Sequence, residues 1–268
     1  MTVSSTFISA DGDGYELSMG RWSRRLAPLF IDFAKPANGD RLLDVGCGTG
    51  NLTFELANTT AAEHIQGIDF STAYIDHARR TNKDARLNFE VGDACNLAFP
   101  DATFDHSLSQ LVLPFIPQAE RAVHEMARVT KPGGVVSAAA WDNRGGFVVL
   151  RMFFDTAAAI DPGAEERRSR TLAKFMTRPG DLAKAWVNAG LKHIVQDEIA
   201  IRMEFLSFAD FWAPAEGKDG PYAEYVNSLN VEARASFKEA MKRTYLDGDP
   251  DGERSYVATA RVVKGVVP

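Results

Sequence analysis

A doubly wound, mostly parallel α/β sheet is the fold class predicted by three observations. First, LLDVGCGTG, Leu42 to Gly50, is an apolar run ending in an acid and three alternating glycines. Such a run is a buried strand feeding a tight turn, where bare main chain can approach a ligand. Second, acids recur where later apolar runs end: Asp69 closes HIQGID, and Asp93 follows LNFEVG. Third, strand-like and helix-like patterns alternate along the chain, as they do in βαβ units.

Each element follows in order. Gly14 to Ala34 reads as an amphipathic helix with Trp22, Leu26, Leu29, Phe30 and Phe33 on one side. The first strand ends at the glycine turn, and a helix follows over Asn51 to Ala57. HIQGIDF, His64 to Phe70, is the second strand, Leu87 to Val91 the third, and FDHSLSQLVLPF, from Phe104, contains the fourth. A helix over Gln118 to Val129 carries Ala122, Val123, Met126, Ala127 and Val129 at near-helical spacing. Pro132 and the two glycines after it stop that helix and turn the chain into a strand, Val135 to Trp141.

Residues 142–178 form an insertion: a turn from Asn143 to Gly146, then a helix rich in Phe147, Val148, Leu150, Met152, Phe153 and Phe154. That face suits either core or a substrate wall. A helix over Asp181 to Ala189 stops at Gly190 and leads into a strand, Lys192 to Ile201. Helices near Tyr222 to Leu229 and Glu232 to Tyr245 precede SYVATARVVKGVV, which alternates as an edge or hairpin strand does.

The glycine turn admits two ligand readings. A dinucleotide fingerprint, GxGxxG/A, needs a small residue in its third slot, where this chain has Asn51. The alternating version fits at Gly46, Gly48 and Gly50 and adds Asp44. Asp69, about 20 residues past the turn, is placed to accept from ribose hydroxyls under either reading.

The alternating pattern resembles motif I of the class I S-adenosylmethionine (SAM) dependent methyltransferases. RVTKPGG, Arg128 to Gly134, resembles the R-x-L-K-P-G-G phrase before the fifth strand of small-molecule members, with Thr130 replacing the leucine. The resemblance is strong over residues 41–141 and holds in outline over 180–265. It implies a seven-stranded Rossmann-like sheet with a C-terminal antiparallel hairpin and helical lid insertions. Residues 1–268 would form one domain: a cap helix in 1–40, a SAM-binding core in 41–141, substrate-covering helices in 142–178 and 205–250, and last strands at 192–201 and 255–265.

The cofactor set implied by the resemblance is Asp44, Gly46, Cys47, Gly48, Gly50, Asp69, Phe70, Asp93, Ala94 and Gln110, with Tyr15 and Arg21 closing from the cap helix. Asp93 would accept from the adenine amine, the Ala94 N–H would meet a ring nitrogen, and Arg21 would meet the SAM carboxylate. The implied activity is methyl transfer from SAM to a small molecule, with S-adenosylhomocysteine (SAH) as product. Two alternatives stand beside it: a non-catalytic SAM-binding protein and an NAD(P)-dependent oxidoreductase, the latter disfavoured by Asn51 and by the lack of a Tyr-x-x-x-Lys pair after strand four.

Composition narrows the partners. The 268 residues are 45% hydrophobic, enough for one large core without disulfides. Cys47 and Cys95, both inside motif regions, have no second ligand at metal spacing, so no metal is expected. DGDPDG, Asp247 to Gly252, mimics the start of a calcium loop, but position twelve is Ala258 and position four Pro250; it reads as a turn. A net charge of -6 argues against nucleic acid. Val112-Leu113-Pro114-Phe115 also lacks the Asn/Asp-Pro-Pro-aromatic tetrapeptide of many nucleic-acid amino methyltransferases. No signal peptide or membrane-spanning stretch is apparent, so a cytoplasmic monomer or homodimer is expected. No catalytic residue is assigned: His106, Asp142, His193 and Glu204 are remote candidates for a base, and Gln110 and Leu111 are expected nearest the reacting methyl.

Overall fold

The computed structural model describes residues 12–218 and 220–268. Residues 1–11, part of the segment read above as lacking a signal peptide, lie outside the described residues. Among the described residues seven strands form one sheet: β1 (Arg41–Val45), β2 (His64–Asp69), β3 (Leu87–Val91), β4 (Phe104–Gln110), β5 (Thr130–Trp141), β6 (Lys192–Phe205) and β7 (Arg254–Val266). Their order is β3-β2-β1-β4-β5-β7-β6. β1 to β5 are parallel, whereas β7 runs antiparallel between β5 and β6, pairing Ala139 with Val262 and Ile199 with Ala260.

The helices alternate with these strands. An N-terminal segment comprises α1 (Gly12–Tyr15), a π-helical turn (Glu16–Gly20) and α2 (Arg21–Ala34). The core strands are linked by α3 (Asn51–Thr59), α4 (Thr72–Thr81) and α5 (Ala119–Val129). Beyond β5 come α6 (Val148–Ile160), α7 (Ala164–Leu172) and α8 (Asp181–Asn188); between β6 and β7 lie α9 (Phe208–Trp212), α10 (Gly220–Ser228) and α11 (Val231–Leu246).

Strand alternation divides the core into two layers. Leu42, Ile65, Phe89 and Leu108 face α2, α3 and α4, while Leu43, Val45, Ile68, Val136 and Ala138 face α5 and α8. Both faces of the sheet are therefore covered, as central parallel strands require. Trp186 of α8 is fully buried and donates its indole N–H to the Val136 carbonyl at 2.9 Å.

Two local readings change. The helix before β5 ends at Val129, and KPGG lies inside the strand: pairing jumps from Phe104–Thr130 to His106–Val135, so Lys131–Gly134 bulge out. Gly133, at φ +79°, returns its N–H to Val267. The N-terminal helix is also broken by its π turn, and Leu29, expected on the buried side, is 44% exposed.

Candidate active site

Sheet order reverses between β1 and β4, and a crevice opens at such a switch point beyond the carboxyl ends of the strands. The glycine turn occupies it. Gly46, Gly48 and Gly50 take φ values of +75°, +55° and +94°, a region that L side chains enter at a cost. Their tasks differ. A Cβ on Gly46 would lie 2.4 Å from Val112 Cγ1, so this glycine is needed for packing. A Cβ on Gly48 would meet nothing within 4 Å, because its main chain borders open cavity.

Asp69 holds that turn in place. Its Oδ2 accepts from the Gly48 N–H at 2.9 Å and its Oδ1 from the Ser71 N–H at 2.8 Å. Each carboxylate oxygen keeps a lone pair for a further donor. Burial nevertheless raises the Asp69 pKa, outweighing the two N–H donors that oppose it. Asp44 lies deeper: Oδ2 accepts from the Thr53 hydroxyl at 2.7 Å, and Oδ1 is buried without a partner among the described residues. Burial pushes the Asp44 pKa up to about 7, against the Thr53 hydroxyl and with the help of the Asp69 charge.

The N-terminal segment closes over the turn. Glu16 accepts from Thr49, Asn51 and Arg24, tying the π-helical turn to the start of α3. Burial works against this carboxylate, but those three donors prevail and lower its pKa. Tyr15, Ser18 and Met19 then reach the cavity, with the Tyr15 ring 5.2 Å from that of Tyr74. Gln110, at the tip of β4, donates to the Ser23 carbonyl at 3.1 Å and hydroxyl at 2.8 Å, leaving its buried Oε1 without a partner among the described residues. Leu111 adopts φ +64°, a strained conformation for a branched residue that swings the chain around the cavity wall.

The cavity measures about 480 Å³ and runs past the turn in two halves. One is lined by Tyr15, Met19, Gly48, Asp69, Phe70 and Gln110, over the tips of β1, β2 and β4. The other lies beyond β5, three strand spacings or roughly 14 Å from β2. There Trp141, Phe147, Phe154 and Tyr222 supply apolar wall, and Arg167, Arg170 and Lys174 supply positive charge.

The sequence-derived residues separate accordingly. Tyr15, Gly46, Gly48, Asp69, Phe70, Gln110 and Leu111 all line the cavity. Asp44, Cys47, Gly50, Asp93 and Ala94 do not reach its wall. Cys47 is buried in the core, where a Cβ on Gly67 would lie 3.0 Å from its sulfur, and burial pushes its thiol pKa well up. Gly50 is hemmed by Phe54. The Asp93 carboxylate accepts from the Cys95 N–H at 2.8 Å, forming the turn after β3, and Ala94 packs on the second core layer.

Arg21 also turns out elsewhere. Its guanidinium pairs with Asp210 at 2.8 Å and covers the Trp22 ring at 4.3 Å, so it joins α2 to α9 and does not face the cavity. None of the four candidate bases lines the cavity either. His106 is buried against the Ser137 hydroxyl, and burial drives its pKa down to about 3. Asp142 is held by Arg261 at 2.8 Å and by the Arg144 and Gly145 N–H groups; Glu204 pairs with Arg25; His193 is exposed near the start of β6.

Sequence reasoning missed Glu16, Tyr74, Trp141, Lys174 and Tyr222. Trp141 was legible as a strand tip; the other four carried no local signal. In the DGDPDG turn, Asp251 accepts from the Phe208 N–H at 2.8 Å.

Order of strands, antiparallel last pair and glycine cradle together define a Rossmann-like α/β fold of the methyltransferase type. A family model described as a methyltransferase domain matches residues 43–138. That segment carries the glycine turn, Asp69 and Asp93, and its match is to a methyltransferase domain. A demethylmenaquinone methyltransferase of Paenarthrobacter aurescens is 36% identical over 118 residues, covering 44% of this chain and 45% of that protein. A phosphatidylethanolamine N-methyltransferase of Cereibacter sphaeroides is 36% identical over 129 residues, covering 46% and 60%. The chain spans about half the length of the curated relatives it matches.

Among solved structures, Haemonchus contortus phosphoethanolamine N-methyltransferase 2 in complex with SAM has a TM-score of 0.58 at 16% identity, covering 97% of this chain and 60% of that one. The [4+2]-cyclase SpnF has the same TM-score at 21% identity, covering 98% and 87%. These likenesses establish the fold.

Proposed function

We propose that this chain binds SAM across the tips of β1, β2 and β4 and transfers its methyl group to a small-molecule acceptor in the adjoining aromatic half of the cavity. The observation that carries this reading is the continuity of one cavity from the Gly48–Asp69 cradle to the Trp141–Tyr222 wall. The cradle suits the cofactor chemically. Asp69 offers charged acceptors for a ribose diol, Phe70 a flat apolar surface, Gly48 close main-chain approach, and the unpartnered Gln110 Oε1 an acceptor for a cationic or N–H group.

SAM, when bound, supplies a methyl group already activated by the sulfonium. The chain's residues orient the acceptor and exclude water, and alignment alone is worth about 7 to 11 kcal/mol in favourable cases. Tyr15 and Met19 close one side, α6, α7 and α10 the other. The acceptor is a free metabolite and not a nucleic acid, in keeping with the net charge of -6. Among the described residues no helix is long and apolar enough to cross a membrane, and we place the protein in the cytoplasm as a monomer or homodimer.

Calorimetry with SAM, SAH and NAD tests the cofactor, and transfer of a labelled methyl group to a broad acceptor panel tests turnover. Binding of SAM and SAH but not NAD, with label transferred, is the expected result. Indifference to both at millimolar concentration overturns the proposal; binding without any transfer reduces it to a cofactor-binding protein, a fold without turnover.

A further inference from the structure

We infer that the acceptor is an amphipathic anion, a carboxylate or phosphate monoester on an aromatic or aliphatic body, with its charge held at Lys174. This deepens the methyltransferase reading and rests on it. The walls beyond β5 carry more cation than acid. Among the described residues Glu224 is the carboxylate on that side, and Arg167 already holds it at 2.7 Å. Arg170 meets Glu166 only at 3.9 Å, with both side chains largely in solvent. Among the described residues Lys174 has no carboxylate within ion-pair distance, and its ammonium sits 3.7 Å above the Phe115 ring centre.

Lys174 is half-buried beside the cavity. Burial lowers its pKa to about 8, with the charge of Glu224 opposing. A partly desolvated ammonium facing open space is a poor element of stability, but it is a strong recognition group for an anion that completes the pair. The body of the ligand would face apolar surface from Phe154 and Phe147. Two donors wait in that wall: among the described residues the Trp141 indole N–H and the Tyr222 hydroxyl are buried and lack hydrogen-bond partners, in residues 7% and 8% exposed. Buried donors normally find partners, so an oxygen-bearing ligand between them accounts for both.

The test uses the whole chain saturated with SAH, titrated calorimetrically with 3-phenylpropanoate, phenyl phosphate and the uncharged 3-phenylpropanamide. At least one acid should bind, the amide at least tenfold more weakly, and the tighter acid identifies which anion is read. Lys174→Met should remove the preference for charge and Lys174→Arg restore it, while both variants bind SAH as the wild type does.

Equal binding of acid and amide, binding of no acid, or full acid preference in Lys174→Met overturns the inference. Loss of SAH affinity in Lys174→Met also overturns it, because Lys174 would then serve the cofactor's own carboxylate. Failure of the wild type to bind SAH is scored separately, since it refutes the methyltransferase reading and takes the inference with it.

Discussion

Asp69 offers the sharpest check on the cofactor half of the site. Replacing it with alanine removes a carboxylate whose two oxygens accept main-chain N–H groups at 2.9 and 2.8 Å while each retains a free lone pair. Two losses follow. The ribose hydroxyls lose charged acceptors, each worth about 1.5 to 3 kcal/mol, and the Gly48 N–H loses the partner that fixes the turn. Even one such contact predicts SAH binding weakened at least tenfold, since tenfold corresponds to about 1.4 kcal/mol.

Calorimetry against SAH and 2′-deoxy-SAH separates the two losses: wild type should prefer the parent compound, and Asp69→Ala should not. Proton linkage adds a second readout. Because burial raises the Asp69 pKa above the ordinary carboxylate value, wild-type affinity should fall as the pH drops into that raised range. Asp69→Asn, which cannot ionise, should show no such fall. Unchanged SAH affinity in Asp69→Ala, in a variant that melts like the wild type, refutes the assignment.

Three further outcomes follow from the same geometry. Gly48→Ala should abolish SAH binding at a folding cost of about 1 to 2 kcal/mol for its positive φ, whereas Gly46→Ala, which bears the same cost, should lower the melting temperature further through its clash with Val112; equal melting curves would contradict the division of roles. Arg21→Ala should leave SAH affinity within about twofold while lowering Tm, because it strips a mostly buried Asp210 of its partner, the two side chains being 28% and 24% exposed; a large loss of affinity in a folded variant would return Arg21 to the cofactor.

Asp44→Asn tests the buried carboxylate. The folded-state pKa, raised to about 7, means that wild type loses stability as pH rises from the ordinary carboxylate range through 7. The variant lacks that slope, so its stability relative to wild type should improve from pH 5 to pH 8 by about 2 to 3 kcal/mol. Parallel pH–Tm curves for the two proteins would show that Asp44 titrates normally.

The two halves of the cavity differ in how the chain encodes them. The Gly48–Asp69 cradle was legible because its determinants are local: a strand, a turn requiring positive φ and an acid at the next strand tip are read within one βαβ unit. The KPGG phrase was legible as a break but misplaced as a helix stop, since a bulge inside a strand and a connector before it use the same residues. Arg21 shows where locality fails. Nothing in GRWSRR announces a partner 189 residues away, and a partnered arginine and a free one look alike in sequence.

The acceptor half is assembled from the tip of β5, from α6, α7 and the turn after it, and from α10, so its character exists only after folding. Phe153 and Phe154 illustrate the difficulty. Both are buried neighbours on α6, but Phe153 sits among Trp212, Tyr222 and Phe237 while Phe154 reaches the cavity, and no hydropathy pattern distinguishes them. What the folded chain adds is a balance of charge. Arg167 and Glu224 cancel across α7 and α10, while Lys174, a few residues on, is left half-buried over Phe115 with open space before it. The cradle is therefore written in local backbone requirements, and the character of the wall beyond β5 in the charge and hydrogen-bonding capacity that tertiary packing leaves unspent.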